Sequence, residues 1–209
     1  MADDFSSAPS AKLPELVGTV IAEGRRKLTR IIGRGAWGIV YLGEEVADSN
    51  KKFAVKCISS DPASSRSKRD LVREVNLHNA CSQASNRILK FHEVINDEDS
   101  GLLFLITDYF PDGDLLELIL ADKFVGNDGL IRSVFLQILD AVEACHKINV
   151  FHRDLKPENV LCKHEGPNVR IALTDFGFAT TDRMSKEFCM GSEPFMSPGQ
   201  SICLKLWRV

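Results

Sequence analysis

The sequence HRDLKPEN, residues 152–159, lies between the apolar segments INVF and NVLC. It places five charged or amide side chains in one short loop. Burying such groups costs free energy unless each of them finds a partner. The loop therefore predicts a site at which a ligand or a metal ion meets these side chains.

Segments with strand character precede the loop. KLTRIIGRG, WGIVYLGEE and KKFAVKCI are apolar, β-branched and aromatic, and Gly residues and ADSN divide them, which predicts an antiparallel meander. RILKFHEVI and GLLFLITDYF, separated by the turn-like NDEDSG, would complete a five-stranded sheet. Between these two groups, RDLVREVNLHNACS predicts a helix that turns Glu74 towards its own apolar stripe, where a carboxylate needs a partner.

After Phe110 the apolar residues follow a helical period, in DLLELILADKF and in GLIRSVFLQILDAVEACHKI. In the second helix, six residues are predicted to lie on one face: Ile131, Val134, Phe135, Ile138, Val142 and Cys145. A strand-rich half therefore precedes a helix-rich half, which is the pattern of an α+β protein with two lobes. We expect a five-stranded antiparallel N-terminal lobe with one helix, and a mainly helical C-terminal lobe.

Composition narrows the class of protein. The chain has 209 residues, 44% hydrophobic residues and a net charge of -3, which suits one domain or one small two-lobed unit. Mild acidity with scattered Lys and Arg disfavours nucleic-acid binding. No apolar run approaches the roughly 20 residues that span a bilayer, so we expect no membrane partner and a cytoplasmic and/or nuclear location. The six cysteines have no metal-ligand spacing and are predicted to be reduced and mostly buried.

The segment GRGAWGIV supplies Gly33, Gly35 and Gly38 in a G-x-G-x-x-G-x-V spacing. Without a Cβ, backbone N–H groups can approach phosphate oxygens closely. The spacing alone also fits a simple turn or a dinucleotide-binding fingerprint, but that fingerprint opens a helix, whereas these glycines lead into a strand. Lys56 in FAVK fits a surface lysine that buries only its stem. Paired with Glu74, however, its ammonium would be positioned for a polyphosphate.

The polar loop combines with a later segment, LTDFGFA. Asp154, Lys156, Asn159 and Asp175 offer a base, a cation and two oxygen donors, which suits a magnesium nucleotide because Mg²⁺ takes few carboxylate or amide oxygens. Each residue alone also has a local explanation, since short polar side chains cap turns and hydrogen-bond their own backbone. Interactions with a ligand and a metal ion would offset the free-energy cost of desolvating the polar side chains of the loop.

Taken together, the motifs of this chain resemble the complete signature of the eukaryotic protein kinase superfamily. The matching positions are Gly33, Gly35, Gly38, Lys56, Glu74, His152-Arg153-Asp154, Asn159 and Asp175-Phe176-Gly177. The resemblance covers roughly residues 27 to 198. It implies a two-lobed kinase fold, ATP and Mg²⁺ as cofactors, and a protein substrate.

The resemblance also implies a role for each position. The three glycines would cover the ATP phosphates, and Lys56, paired with Glu74, would contact the α- and β-phosphates. Asp154 would orient the substrate hydroxyl, Lys156 would meet the transferred phosphoryl group, and Asn159 with Asp175 would bind Mg²⁺. The other expected nucleotide contacts are Val40, Ala54, Thr107 as gatekeeper, Asp108 and Phe110 in the hinge, Asp114, and Leu161.

Asp114 has two compatible interpretations. By resemblance it meets the ribose or a basic substrate residue. By local pattern it caps the helix that follows, with Glu117 three residues further on. Neither interpretation excludes the other.

Features around the substrate position resemble Ser/Thr rather than Tyr kinases, and the motif segments are similar to those of fungal Ser/Thr kinases. Lys156 follows HRDL, and Ser192 lies in GSEPFMSP, so the expected acceptor is a protein Ser or Thr hydroxyl. Arg153 is expected to pair with a phosphate of the activation segment. Phe188 occupies the position where relatives usually carry the phosphorylated threonine. The remaining candidates for phosphorylation are Thr180, Thr181 and Ser185, and Glu187 could supply a fixed negative charge instead.

The domain prediction has four parts. Residues 1–24 are expected to be a disordered or loosely attached arm, 25–109 the N-terminal lobe, 110–198 a partial C-terminal lobe and 199–209 a divergent tail. Relatives carry a Glu where Gly199 stands and then continue with supporting helices, so a kinase truncated after the activation segment is expected.

The predicted function is an ATP-dependent serine/threonine protein kinase. The alternative is a truncated, catalytically weak or inactive fragment that binds nucleotide or a partner. The broad apolar face of the helix around residues 130–147 leads us to expect association with chaperones.

Overall fold

The computed structural model describes residues 13–35, 38–59, 68–183 and 191–196. The chain divides into two compact units: Met1–Leu71 with Phe91–Tyr109, and Val72–Lys90 with Phe110–Val209. The last residue of the first unit is Tyr109, and the four-part division of the chain stays a prediction. Residues 72–90 join the second unit, because Cys81 and Ile88 belong to its hydrophobic core. Within the described ranges, none of the helices has the length and the hydrophobicity of a membrane span.

The first unit is built on an antiparallel sheet. Its strands are β1 (Val20–Ile21), β2 (Arg26–Gly35), β3 (Gly38–Glu45), β4 (Lys52–Ser59), β5 (Phe91–Asp97) and β6 (Leu102–Asp108). They are ordered β1-β2-β3-β4-β6-β5. The five predicted strands are therefore confirmed, and the two-residue strand β1 extends the sheet at the β2 edge.

Residues 13–24 contact the sheet, which differs from the expected loose arm over 1–24. Leu13 and Leu16 pack against the core, and β1 pairs with β2. The buried Tyr41 hydroxyl donates to Pro14 O at 3.2 Å and accepts from Leu16 N at 3.3 Å. The physical reason is that one face of the sheet is apolar and its burial is favourable. Residues 1–12 lie outside the described ranges.

Alternation along the strands gives the sheet two different faces. One face forms the core of the first unit, with Ile39, Tyr41, Val55, Cys57, Phe104 and Ile106 all buried. The opposite face carries Lys56 at the centre of β4, with Val40 and Leu105 as its strand neighbours.

The second unit combines helices with a hairpin. Its elements are α1 (Lys68–Ala84, from Val72 onward), α2 (Leu115–Leu120), α3 (Asp128–Lys147), β7 (Val160–Glu165) and β8 (Asn168–Leu173). The β7–β8 hairpin was not among the predicted elements, although Gly166 and Pro167 mark its turn. Helix α2 ends at Leu120, earlier than its apolar period suggests, and Asp122 follows with a φ of 55°.

Helix α3 begins at a side-chain cap and buries a narrower face than expected. Asn127 Oδ1 accepts a hydrogen bond from Leu130 N at 3.0 Å. Its buried residues are Val134, Gln137, Ala141 and Cys145. Of the six residues predicted to share one face, Val134 and Cys145 are buried, whereas Ile131 and Phe135 are 47% and 58% exposed. The buried face is set by packing against β8, and that contact is not encoded in the helical period.

Candidate active site

The loop that follows α3 is fixed by hydrogen bonds from both nitrogens of one histidine. His152 Nε2 donates to Thr174 O at 2.9 Å, and His152 Nδ1 accepts from Asp154 N at 3.3 Å. This pairing uses the neutral imidazole, and burial lowers the pKa of His152 below its ordinary value. Arg153 and Asp175 have φ angles of 66° and 63°, a left-handed conformation that is uncommon outside glycine and is concentrated at functional sites.

Asp154 is a buried carboxylate with three hydrogen-bond donors. Asn159 Nδ2 donates to its Oδ2 at 3.0 Å, Lys156 Nζ lies 3.1 Å from the same oxygen, and Ser192 N donates to Oδ1 at 2.8 Å. Burial alone would raise the pKa of Asp154. The hydrogen bonds from Ser192, Lys156 and Asn159 outweigh that effect and hold the pKa below its usual value. Asp154 is therefore an ionised acceptor at neutral pH.

Ser192 connects the loop to a segment far along the chain. Lys156 Nζ donates to Ser192 Oγ at 2.7 Å, in addition to its contact with Asp154. The approach depends on Gly191, whose φ is 112° and where a Cβ would lie 2.6 Å from Arg153 O. Sequence reasoning identified Ser192 by resemblance but missed Gly191, although glycine is the expected residue where two backbones approach this closely.

Asn159 and Asp175 supply oxygen donors that suit Mg²⁺. Both amide protons of Asn159 are directed to Asp154, at its backbone O (2.8 Å) and at Oδ2, so the amide oxygen is left facing away from Asp154. Thr174 N donates to Asn159 O at 2.9 Å, which places Asn159 beside the residue that precedes Asp175. One carboxylate and one amide oxygen fit an ion that keeps its other positions for phosphate and water. No group of three or more His, Cys, Asp or Glu side chains gathers around a metal position in the described part of the chain.

In the first unit, the register of the strands places several residues that are predicted to contact the nucleotide on one face of the sheet. Val40 lies opposite Lys56, and Ala54 lies opposite Thr107, so these four side chains share one face of the sheet. Gly33 pairs with Val40 and extends this face towards the glycine segment. Gly38 has a φ of 148°, and a Cβ there would overlap Cys57 O, so this position requires glycine. Gly35 pairs with Gly38 at the end of the β2–β3 hairpin.

The remaining predicted residues lie in both units. Asp108 Oδ1 is 2.7 Å from His92 Nε2 at the end of β6. Asp114 caps α2 by accepting from Glu117 N at 2.9 Å, which confirms its interpretation as a helix cap. Asp114 also forms a β-bridge with Leu161, and Leu161 packs beside the buried Phe110.

Glu74 is buried on the part of α1 that belongs to the second unit, whereas Lys56 belongs to the first. Their expected ion pair stays a prediction.

The model of the protein kinase domain family matches residues 26–200. The chain belongs to this family. A protein from Schizosaccharomyces pombe named "Negative regulator of sexual conjugation and meiosis" is 40% identical over 187 residues, covering 88% of this chain and 38% of the relative. The serine/threonine-protein kinase ksp1 of the same organism is 33% identical over 183 residues, covering 83% of this chain and 37% of the relative. This chain thus spans less than two fifths of the length of either protein.

A further fungal relative is the serine/threonine-protein kinase SKS1 of Saccharomyces cerevisiae, 39% identical over 125 residues, covering 58% of this chain and 24% of the relative. These comparisons confirm membership of the eukaryotic Ser/Thr kinase superfamily and the kinase-like α+β fold. Kinases of this family generally use ATP and Mg²⁺, and their substrates are proteins.

An aromatic stack within the kinase fold was not predicted from sequence. The ring of Phe176 stacks on His78 of α1 with centroids 5.0 Å apart, and His152 meets its edge at 4.9 Å. His78 Nε2 is also 2.8 Å from Leu89 O. The stack joins α1, the Asp175-Phe176-Gly177 turn and the polar loop. The only sequence signal for it is the position of His78, one helical turn beyond Glu74.

The two expected phosphoacceptors in the described part of the activation segment differ in exposure to solvent. Thr180 is buried, its backbone pairs with Phe151, and its Oγ1 accepts from Asp182 N at 3.2 Å. Thr181 is exposed. Arg153 Nε donates to Phe178 O at 2.6 Å. Ser185, Glu187 and Phe188 lie outside the described residues, as do Gly199 and the tail 199–209.

Proposed function

We propose that the chain is the catalytic unit of an ATP- and Mg²⁺-dependent kinase that phosphorylates Ser or Thr hydroxyls of proteins. The observation that supports this proposal most is the state of Asp154, a buried and ionised carboxylate fixed by Lys156, Asn159 and Ser192. Groups that are fixed before the substrate arrives need little reorganisation during the reaction. The names of two of the fungal relatives support the Ser/Thr assignment.

Within the described part of the chain, three donors reach Asp154, which leaves room for one substrate hydroxyl. A carboxylate offers about four lone-pair sites. On Oδ2 the two sites are taken by Asn159 Nδ2 and Lys156 Nζ, and on Oδ1 one site is taken by Ser192 N. The fourth site, on Oδ1, accepts the hydroxyl of the substrate. Asp154 orients this hydroxyl and takes its proton as the hydroxyl oxygen bonds to the γ-phosphorus and the bond to ADP breaks.

Lys156, Asn159 and Asp175 act on the phosphate groups of ATP. Lys156 Nζ lies beside both Asp154 and Ser192, where its positive charge stabilises the phosphoryl group in transfer. Asn159 and Asp175 would hold Mg²⁺, which when bound neutralises charge on the ATP phosphates. In the first unit, Val40 and Ala54 give the nucleotide an apolar contact, and Lys56 on the same face meets its phosphates.

The test is phosphoryl transfer by the full chain. Purified protein is incubated with Mg²⁺, γ-labelled ATP and a mixture of Ser, Thr and Tyr peptides, and the labelled amino acids are identified. We expect label on Ser or Thr, abolished by Asp154→Asn and retained by Asp140→Asn, which changes an exposed carboxyl of α3. ATP binding without transfer would overturn the proposal in favour of nucleotide binding alone, and label on Tyr would overturn the Ser/Thr assignment. Location in the cytoplasm or nucleus and association with chaperones stay predictions.

A further inference from the structure

A β-bulge on β5 directs one histidine towards the end of β6. The register between the two strands shifts between Phe91 and Glu93, so that His92 is the extra residue on β5. A bulge bends its strand and re-aims the side chain of the extra residue. Here His92 Nε2 lies 2.7 Å from Asp108 Oδ1, and the nitrogen is the donor, because a carboxylate only accepts. The bulge thus connects β5 to the last residue of β6 through a side chain.

Aromatic contacts hold the imidazole in this orientation. Phe53 on β4 is the strand partner of Asp108, and its ring meets the His92 ring edge to face with centroids 5.4 Å apart. The guanidinium carbon of Arg26 lies 4.7 Å from the centroid of the same Phe53 ring. The His92 and Asp108 side chains are 25% and 35% exposed, and a pair that solvent reaches to this extent adds little to stability. The pair therefore orients Asp108 more than it stabilises the sheet.

Asp108 needs such a contact because it lies where the sheet ends. The ladder between β5 and β6 stops at Phe91 and Thr107, one residue short of Asp108. Backbone at the end of a strand opens more easily than backbone at its centre. The hydrogen bond from His92 continues the link between β5 and β6 by one residue, and Asp108 is held from β4 on its other side.

The strand register places Asp108 away from the phosphate-binding end of the first unit. Asp108 is the partner of Phe53, which lies three residues, or about 10 Å of strand, from Lys56. With Lys56 at the phosphates, Asp108 and its neighbour Thr107 lie at the adenosine end of the nucleotide. Successive side chains of a strand point to opposite faces, so the Asp108 carboxylate lies on the face opposite to Thr107, where His92 binds it. What Asp108 offers to the nucleotide is therefore its backbone, and His92 holds that backbone from behind.

We propose that His92 is a positioning residue for nucleotide binding, which acts by holding Asp108 in the conformation that meets the adenosine part of ATP. This inference rests on the proposed function, since it concerns the same nucleotide. A contact that is ordered before the ligand arrives lowers the cost of ordering on binding. The hydrogen bond takes no part in the transfer of the phosphoryl group. Its loss should therefore weaken nucleotide affinity and leave the rate of transfer at saturating ATP unchanged.

The experiment measures the affinity of the full chain for Mg²⁺-ATP and Mg²⁺-ADP by calorimetric titration. His92→Phe keeps a ring against Phe53 but removes the donor to Asp108. We expect the Kd of both nucleotides to rise by the same factor, about 3–10-fold, because one hydrogen bond is lost and the γ-phosphate is not involved. The KM for ATP should rise by the same factor, with kcat unchanged. His92→Gln, whose amide can still donate to Asp108, should restore most of the affinity.

The matched control is His164→Phe, because His164 also lies beside a carboxylate, with its Nδ1 3.2 Å from Asp112 Oδ2. This variant should bind both nucleotides as the unchanged chain does. Urea unfolding separates positioning from stability: a His92→Phe variant that unfolds more easily but binds ATP with unchanged Kd would overturn the inference. A His92→Gln variant as weak as His92→Phe would overturn it too, because the hydrogen bond would not be the cause. Failure of the unchanged chain to bind ATP would overturn the proposed function and this inference with it, whereas equal binding by the unchanged chain and His92→Phe overturns this inference alone.

Discussion

The polar loop 152–159 and the outward face of α3 are adjacent in sequence but opposite in character. In the loop, Asp154, Lys156 and Asn159 are charged or polar, and each has a partner among the described residues. On the outward face of α3, large apolar side chains remain in contact with solvent. They are Ile131, Phe135, Leu136 and Leu139. In these two regions, the polar groups, whose desolvation is costly, are paired, whereas the apolar side chains remain exposed to solvent.

The inward face of α3 shows the same rule as the loop. The Gln137 amide is buried, yet its Oε1 accepts from Arg87 Nη1 at 2.6 Å and from Ile171 N at 3.2 Å. Its Nε2 donates to Val169 O at 2.8 Å. A buried amide with every group used fixes the helix against β8 and defines which side of α3 faces inward. The lesson is that polar pairing, and not apolar content alone, orients this helix.

The largest effect is expected at the centre of the loop. Asp154→Asn keeps the shape of the side chain but removes the negative charge that orients and accepts the proton, so phosphoryl transfer should fall by about 10²–10⁴-fold. Steady-state transfer to a Ser/Thr peptide measures this, with Asp140→Asn on the exposed side of α3 as the control. Equal activity of Asp154→Asn and the unchanged chain would contradict this prediction, because the loop would then have only a structural role.

A second substitution tests whether the ammonium group of Lys56, in the first unit, contributes to nucleotide binding. Lys56→Met keeps the apolar stem on β4 and removes the ammonium, and we expect ATP affinity to fall about 10–100-fold, since hydrogen bonds to charged groups contribute about 1.5–3 kcal/mol. Calorimetric titration with Mg²⁺ and ATP measures the affinity. The control is Lys52→Met on the exposed end of the same strand. An unchanged affinity, with unchanged transfer, would show that Lys56 is not a phosphate contact.

A third pair of substitutions compares the two sides of α3 directly. Val134→Ala removes buried methyl groups and should lower the free energy of unfolding by about 2 kcal/mol. Phe135→Ala, on the exposed face next to it, should change that free energy by no more than about 0.5 kcal/mol. Urea unfolding of both variants gives the values. A larger loss for Phe135 than for Val134 would mean that the outward face is covered in the folded chain.

The smallest effect concerns the pH dependence of stability. Burial lowers the pKa of His152, so the unfolded chain binds this proton more readily than the folded chain does. The contribution of neutral His152 to the free energy of unfolding is complete above the pKa of about 6.5 that histidine has in the unfolded chain. This contribution is lost as the pH falls from there towards the lower pKa of His152 in the folded chain. His152→Gln should therefore flatten the decline of unfolding free energy between about pH 7 and 5. His146→Gln, at an exposed position, is the control, and the same slope in both variants would contradict the assignment.

Local sequence patterns predicted most of the strands and helices and the residues that carry the chemistry. Alternation and turn residues located β2 to β6, helical periods located α1 and α3, and the ordered motifs named Asp154 and Lys56 before any contact was known. These features depend on backbone dihedral preferences and on residue spacing, which act over a few residues. The hairpin β7–β8 had the same kind of local signal at Gly166 and could have been found.

Contacts between residues that are far apart in the sequence follow from the folded chain and not from local patterns. Ser192 reaches Asp154 across 38 positions, Phe176 stacks on His78, and the segment from Leu13 covers the sheet at Tyr41. The buried face of α3 likewise follows from its contact with β8. Such contacts arise from the path of the chain in space, because neither a helical period nor a motif specifies which surface will pack against it.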